Sequence, residues 1–355
     1  MAVTQTSVGR EPSQAGPTGE LILAGDVGGT HARLALFEAG PQGGLRRLDR
    51  QTYESVGYAG LGEIVTRYLR SGPVASIGGS PTRACLALAA PRDGDRWRFP
   101  NLDWTVERDV LREETGLETL VLCNDFDAVA HSIDRLDPND LAELRPGRAE
   151  ARAPRAFLGA GTGLGVAFSV WSGDRHRVVS SEGGHVDFAP RSERERKLLS
   201  FLQERHEHVS YERVLSGSGI EAIYRSLAKD RTAAESQAVL HRFESEDPAA
   251  VVSELGLKGE DPLCVEALDV FASVYGAQAG NLALLVEARG GVYIAGGIAP
   301  RILEKLRDGR FVRSFEAKGR VSDLLTEIPV SVVTREDVGL IGAAAVALEG
   351  DGATP

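Results

Sequence analysis

The sequence predicts an α/β protein of two domains. Short apolar runs alternate with stretches that carry apolar residues at helical spacing. Three of those runs end in glycine-rich turns, the strand ends where open α/β sheets bind ligands. At 355 residues the chain exceeds one compact unit, so two domains are expected. The apolar fraction of 42% and charged fraction of 26% are those of a soluble globular protein. A net charge of −11 argues against a nucleic-acid surface, which needs a basic stripe. No run reaches the roughly 18 apolar residues of a membrane span. Cys85, Cys123 and Cys264 are odd in number, far apart in sequence and set in apolar runs. They read as small core residues, reduced in a cytoplasmic protein, with no spacing for structural zinc.

Residues 1–19 are polar, rich in Gly, Pro, Ser and Thr, and read as a disordered tail and not a signal peptide. Leu21–Phe37 reads as strand, tight glycine turn, strand, with Gly25, Gly28 and Gly29 supplying backbone freedom. Gly40 to Gly44 is a turn, and Leu48 to Ser55 a further strand. Leu61–Leu69 has a helical apolar face. Ala84 to Ala90 is a buried strand ended by Pro91, with a hairpin partner at Trp97 to Pro100. Val106–Thr115 reads as a helix closed by Gly116, Thr119–Cys123 as a strand, and Asp127–Leu136 as a helix. The polar stretch 139–154 suits a domain crossing. Ala156–Val170 then repeats the opening strand, glycine turn and strand, which suggests an internal duplication. Arg177–Ser181 is a strand, and Ser192 caps a helix presenting Leu198, Leu199 and Leu202. Ile220–Lys229 is a helix, and 230–262 holds short helices. Val265–Ala288 is a long helix, too interrupted by polar residues to span a membrane. Gly290–Ile298 is a strand with a glycine turn, Pro300 opens the helix behind it, Ile328–Val333 is the last strand, and Val338–Leu348 a closely packed final helix.

Four constellations carry chemistry. Asp26-Val27-Gly28-Gly29-Thr30 sets a carboxylate beside exposed N–H groups, which suits a phosphate with Mg²⁺ between phosphate and carboxylate. The same residues also make an ordinary hairpin with a surface Asp. Gly161-Thr162-Gly163 suits the far side of a triphosphate, and Gly296-Gly297 either a close approach of adenosine or a plain strand–helix turn. No Walker-type loop is present. Asn124-Asp125, at a strand end, offers a carboxylate to take the proton of an attacking hydroxyl, or else a helix N-cap. Glu182, His185 and Glu212 offer acceptors and an imidazole to a ring of hydroxyls, though on their own a surface Glu, a core His and a helix-start Glu are the preferred readings. Asp187 is either a further acid near the site or a turn cap, and His206 and His208 read as solvated residues of a Glu/Arg-rich helix.

Taken together, Gly25-Asp-Val-Gly-Gly-Thr30, Cys123-Asn-Asp-Phe126, Gly159-Ala-Gly-Thr-Gly-Leu-Gly165, Glu182-Gly-Gly-His-Val-Asp-Phe-Ala-Pro190, Glu212-Arg-Val-Leu-Ser-Gly217 and Ile294-Ala-Gly-Gly-Ile298 resemble the bacterial ATP-dependent glucokinases of the hexokinase/actin-like ATPase superfamily. They follow the family's order across 21 to about 350. The resemblance implies a two-domain actin-like ATPase (ribonuclease H-like) fold with an interdomain cleft, 20–137 with 338–350 in the small domain and 138–337 in the large. It implies transfer of the γ-phosphoryl of ATP to the 6-hydroxyl of glucose, with Asp125 as general base. Asn101, Asn124, Asp125, Glu182, His185 and Glu212 would bind the sugar. Gly25, Asp26, Val27, Gly28, Gly29, Thr30, Gly161, Thr162, Gly163, Gly296 and Gly297 would face ATP, with Asp26 on Mg²⁺ through water. A cytoplasmic homodimer that uses Mg²⁺, ATP and glucose, without nucleic acid or membrane, is the expected form. A kinase for another sugar, such as mannose or an N-acetylhexosamine, and a sugar-sensing regulator on the same fold stay open as alternatives, with an actin-like filament protein ranked below them. His31 replaces a frequent Asn and Asp127 a frequent Thr of the family. His31 adjoins the phosphate turn, and Asp127 could perturb the base. The Cys-rich zinc motif of the related ROK kinases is absent.

Overall fold

The computed structural model describes residues 19–99, 101–230 and 235–350. Apart from Gly19, the expected tail lies outside them. The chain divides into two compact units. One contains the chain up to Leu136 and again from Asp337, the other Asp137–Glu336.

The first unit is built on a sheet of β1 (Glu20–Val27), β2 (His31–Ala39), β3 (Leu45–Glu54), β4 (Arg83–Leu88) and β8 (Thr119–Asn124), in the order β3-β2-β1-β4-β8. β1 runs antiparallel to β2 and parallel to β4, and β4 runs parallel to β8. Both faces are covered, which is why these strands read as unbroken apolar runs. Leu21, Leu23, Leu34, Leu36 and Leu86 pack with the helix Leu61–Leu69 on one side. Ile22, Ala24, Ala35, Phe37, Cys85 and Cys123 pack with the helix Val338–Glu349 on the other. That last helix is as tightly packed as its small residues imply. A Cβ at Gly342 would lie 1.7 Å from the Ala128 carbonyl oxygen of the helix Asp125–Ser132. The cysteines, distant in sequence, are not all distant in space, since the Sγ atoms of Cys85 and Cys123 lie 3.6 Å apart in the core.

A small sheet of β5 (Arg92–Asp93), β6 (Arg96–Arg98) and β7 (Thr105–Glu107) completes this unit. Here the expected helix from Val106 is corrected. Val106 and Glu107 belong to β7, and the helix runs Arg108–Thr115, closed by Gly116. Val106 is buried opposite Trp97, and that cross-strand pair overrides the helical spacing.

The second unit repeats the plan. Strands β10 (Arg155–Ala160), β11 (Leu164–Ser172), β12 (Arg175–Ser181), β13 (Val292–Ala295) and β14 (Val330–Val333) are ordered β12-β11-β10-β13-β14. Each pairing has the same sense as its counterpart in the first sheet. The duplication suggested by the two hairpins is therefore a duplication of the whole five-strand topology. A sixth strand, β9 (Leu141–Arg145), lies antiparallel at the β14 edge. The polar stretch 139–154 is thus partly strand; an edge strand half open to water tolerates the charged residues that hid it. Behind the sheet lies the helix Pro262–Val286, with Phe271 and Tyr275 in the core. Among the described residues no helix is long and apolar enough to cross a membrane. Pro300 does not open its helix, which starts two residues earlier at Ile298.

Candidate active site

In the first unit the hairpin register sets Asp26 directly opposite Arg33, and Arg33 Nη1 donates to Asp26 Oδ2 at 3.2 Å. The Asp26 carboxylate also packs on the start of the last helix, where a Cβ at Gly339 would come within 3.2 Å of Asp26 Cγ. A helix N-terminus is a favourable neighbour for a carboxylate. The Gly28–Thr30 turn is held from beside it. Gly28 N–H donates to the His31 carbonyl at 2.9 Å, Ser55 N–H to the Thr30 carbonyl at 2.9 Å and Ser55 Oγ to the Gly28 carbonyl at 3.0 Å. Neither Gly28 nor Gly29 has a positive φ, so the turn does not use glycine's freedom. What the glycines supply is an open face, since the nearest atom to a Cβ at Gly29 is Asn101 Cβ at 4.0 Å. Asn101 is exposed beside that turn. Gly25 and Val27 offer a ligand backbone and not side chain. Both are buried in β1, and a Cβ at Gly25 would strike Leu86 at 2.4 Å.

At the end of β8, Asn124 is the N-cap of the helix Asp125–Ser132, its Oδ1 accepting from Phe126 N–H at 2.8 Å. The capping role thus falls to Asn124, which keeps its amide N–H groups for another acceptor. Asp125, the first residue of the helix, also accepts from Phe126 N–H, at 3.0 Å. Its carboxyl pKa is pushed up to about 7, chiefly by burial, then by the charge of Asp26, with a smaller push from Asp127. Asp127 is buried and bears on Asp125 as the sequence anticipated.

In the second unit Glu182, His185 and Glu212 come together. His185 Nε2 lies 3.8 Å from Glu182 Oε2, and His185 Nδ1 lies 3.8 Å from Glu212 Oε1. The intervening glycines are required by close packing, for a Cβ at Gly184 would lie 2.0 Å from the Leu164 carbonyl oxygen. Glu182 and His185 are exposed, and Glu212 is half-buried because its other oxygen is occupied. Oε2 accepts from Leu164 N–H at 3.0 Å, at the end of the Gly161–Gly163 turn. A Cβ at Gly163 would meet that oxygen at 2.5 Å, while Gly161 faces open space. Gly161 N–H donates to the Gly163 carbonyl, and Gly217 N–H to the Gly161 carbonyl. Thr162 and Gly297 are exposed. Gly296 has φ +80° and would set a Cβ 2.5 Å from the Ala160 carbonyl oxygen, so only glycine fits there. The 161–163 and 296–297 turns therefore lie side by side at the ends of neighbouring strands.

Asp187 pairs with His208 at 2.9 Å. His206 and His208 lie beyond the helix Glu193–Gln203 and not within it. Two supporting residues had little signal in the sequence. Arg33 follows from hairpin register alone. Tyr275, fully buried, accepts from Ala160 N–H at 3.0 Å just before the second turn, and nothing local marks it.

Comparison with known proteins adds the following. The family model described as Glucokinase matches residues 23–350. A protein named Glucokinase from Nostoc sp. is 41% identical over 337 residues, which cover 91% of this chain and 98% of that protein. One of the same name from Synechocystis sp. is 40% identical over 357 residues, covering 94% and 99%. The crystal structure of a glucokinase from an Antarctic psychrotroph has a TM-score of 0.80 at 34% identity, covering 93% of this chain and 99% of that one. A ROK-family glucokinase from Streptomyces griseus, crystallised with glucose and AMPPNP, has a TM-score of 0.64 at 22% identity, covering 93% and 100%, a likeness of fold. The repeated five-strand sheet is the actin-like ATPase (ribonuclease H-like) fold of these proteins.

Proposed function

Because the chain belongs to the glucokinase family, we propose that it transfers the γ-phosphoryl of ATP to the 6-hydroxyl of glucose, giving glucose 6-phosphate and ADP. The observation that carries the mechanism is Asp125, a carboxyl with its pKa pushed up to about 7 at the end of β8. A general base works best when its pKa lies near the working pH. Asp125 takes the 6-hydroxyl proton as the oxygen attacks phosphorus. Glu182 and Glu212 accept hydrogen bonds from sugar hydroxyls, His185 donates or accepts, and the free amide of Asn124 donates. Asn101 joins the sugar contacts from beside the first turn. Backbone N–H groups of the 28–30 and 161–163 turns neutralise charge on the transferred group, and Gly296-Gly297 leaves its backbone open to the adenosine.

Mg²⁺ bound with ATP screens the phosphates. It commonly keeps several waters and takes one or two carboxylates beside the phosphates. Asp26, a partly exposed carboxylate at a strand end, fits that role through water. No group of three or more His, Cys, Asp or Glu that could hold a metal gathers among the described residues. A cytoplasmic homodimer acting at the entry to glycolysis completes the reading.

The test is ADP release with Mg²⁺ and ATP over glucose, mannose, fructose, N-acetylglucosamine and no sugar. Strong turnover with glucose alone is expected. Turnover with another sugar would move the specificity of Glu182, His185 and Glu212. No sugar-dependent ADP from folded protein would overturn the assignment.

A further inference from the structure

Lys318 is unlike the other lysines of the chain, of which there are five in all. Lys197, Lys229, Lys258 and Lys305 each pair with a carboxylate. Lys318 has no carboxylate partner among the described residues and is half-buried. Its stem crosses the helix Pro262–Val286 where a Cβ at Gly280 would lie 2.6 Å from Lys318 Cε. Nζ donates to two oxygens of that helix, the Ala277 carbonyl at 2.8 Å and Asn281 Oδ1 at 2.5 Å. Its pKa is brought down to about 8, chiefly by burial and then by the charge of Arg191. The acids on neighbouring elements are engaged elsewhere, Glu195 by Arg191, Glu316 by Arg145, and Asp269 by Lys305 and Arg310. A half-buried cation without a counter-ion costs stability, so this one is held for something other than stability.

The amide that Lys318 grips leads to the sugar site. An ammonium only donates, so Asn281 Oδ1 must face Lys318 and Nδ2 must face away. Nδ2 donates to the Tyr211 hydroxyl at 3.1 Å and to Gln278 Oε1 at 3.1 Å. Tyr211 is buried and immediately precedes Glu212. It also ties together the two segments that carry the sugar-site residues. Its N–H donates to the Val186 carbonyl at 3.0 Å, next to His185, and its ring meets that of Phe188 edge-on at 5.6 Å. Phe188 N–H closes the same junction by donating to the Val209 carbonyl at 2.9 Å.

We propose that Lys318, acting through Asn281 and Tyr211, is a positioning residue for the sugar site. The ammonium fixes the amide, the amide fixes the phenol, and the phenol fixes Glu212 against the segment that carries His185. Lys318 touches no reacting atom, so its effect falls on glucose affinity and not on the chemical step. The effect on glucose rests on the glucokinase reading; the chain of bonds itself does not.

The test is a double-mutant cycle on the full chain with Lys318→Met and Tyr211→Phe, each of which keeps the bulk of its side chain and removes the polar end. Glucose binding by calorimetry should weaken about fivefold in each single variant and no further in the double variant, because both break one chain of bonds. Independent effects would multiply to about twenty-five-fold. The KM for glucose should rise while kcat at saturating glucose holds. Multiplied effects, or unchanged affinity in both single variants, would overturn the positioning role. The chain of bonds is also read without sugar, from the NMR signals of lysines labelled with carbon-13 at Cε. One signal should titrate near pH 8, vanish in Lys318→Met and titrate at lower pH in Asn281→Leu, which removes an acceptor of the charged form. An unmoved midpoint in Asn281→Leu would overturn the grip of Lys318 on Asn281, and with it the proposal. A wild type that bound no glucose would take down the sugar reading instead, with the lysine signal still deciding whether the chain of bonds exists.

Discussion

The two glycine turns occupy equivalent places in the two repeats and are built differently. In the first, Asp26 and Arg33 face each other across the hairpin just before the turn, so charge is carried by the hairpin itself. In the second, the facing pair is Gly159 and Gly165, and the carboxylate comes from Glu212, 48 residues beyond the Leu164 it binds. The first turn is fastened by Ser55 at the end of β3, the second by Gly217 and Glu212. Duplication supplied one scaffold twice. Chemistry then diverged: the first repeat places acids at its own strand ends, while the second takes one from a distant segment. That acid, Glu212, joins the second turn to the Glu182–His185 group. The difference predicts that damage to the second turn spreads to sugar affinity through Glu212, whereas damage to the first falls mainly on the nucleotide and reaches the sugar only by way of Asn101.

The largest effect is expected at the strand-end acid of the first repeat. Asp125→Asn should keep glucose affinity in direct binding and lose about 10²- to 10⁴-fold in kcat. Wild-type kcat should rise with pH through about 7, because the base must be ionised. Stability should run the other way. The Asp125 carboxyl titrates near 3.8 when free and near 7 when folded, so between those values the folded chain holds more protons. Its contribution is present at low pH and is lost as pH rises through about 7. Asp125→Asn should therefore be the more stable protein at pH 8, by an amount on the order of 1–4 kcal/mol. Thermal unfolding at pH 5 and pH 8 reads this directly, and a variant less stable than wild type at both would contradict it.

How far the sequence alone could lead follows from where each signal resides. The helix Leu61–Leu69 has its expected ends because nothing competes with its apolar spacing. The Glu182–His185–Glu212 grouping was anticipated, since glycines bracket it and the residue types suit hydroxyls. The strand β9 was hidden because an edge strand needs few apolar residues. The helix start at Val106 misled because its side chain is claimed by Trp97 across a sheet. The glycines of the first turn were read as sources of backbone freedom, yet Gly28 and Gly29 have no positive φ. Gly29 and Gly161 supply open faces, and Gly163 and Gly184 permit close approaches. Distinguishing these requires knowing which atoms lie opposite, and that is tertiary information. The same holds for Tyr275 under Ala160.

A pair of matched substitutions sharpens the comparison at intermediate cost. Gly163→Ala puts a Cβ 2.5 Å from Glu212 Oε2, the mobile end of a side chain, so the fold survives while the carboxylate moves. That movement gives up its bond to Leu164 N–H, a charge-assisted bond of roughly 1.5–3 kcal/mol. The KM for glucose should rise about tenfold or more, together with the KM for ATP. Gly161→Ala meets only open space and should leave the glucose KM alone. Equal effects of the two would show that Glu212 does not link the turn to sugar binding. Glu182→Ala, on an exposed side chain, should raise the glucose KM without shifting thermal stability.

The smallest effect belongs to the fastening of the first turn. Ser55 is fully buried, and its hydroxyl donates to the Gly28 carbonyl at 3.0 Å while its N–H holds the Thr30 carbonyl. Ser55→Ala keeps the backbone bond and removes the hydroxyl, a loss of about 1 kcal/mol. For a unit of this size that lowers Tm by about 2–4 °C. The loosened turn should show in the KM for ATP more than in that for glucose, because the bonds Ser55 makes run to the first turn itself. A glucose KM that rose in step with the ATP KM would mean the first turn, like the second, reports to the sugar, and the division of labour between the repeats would fail.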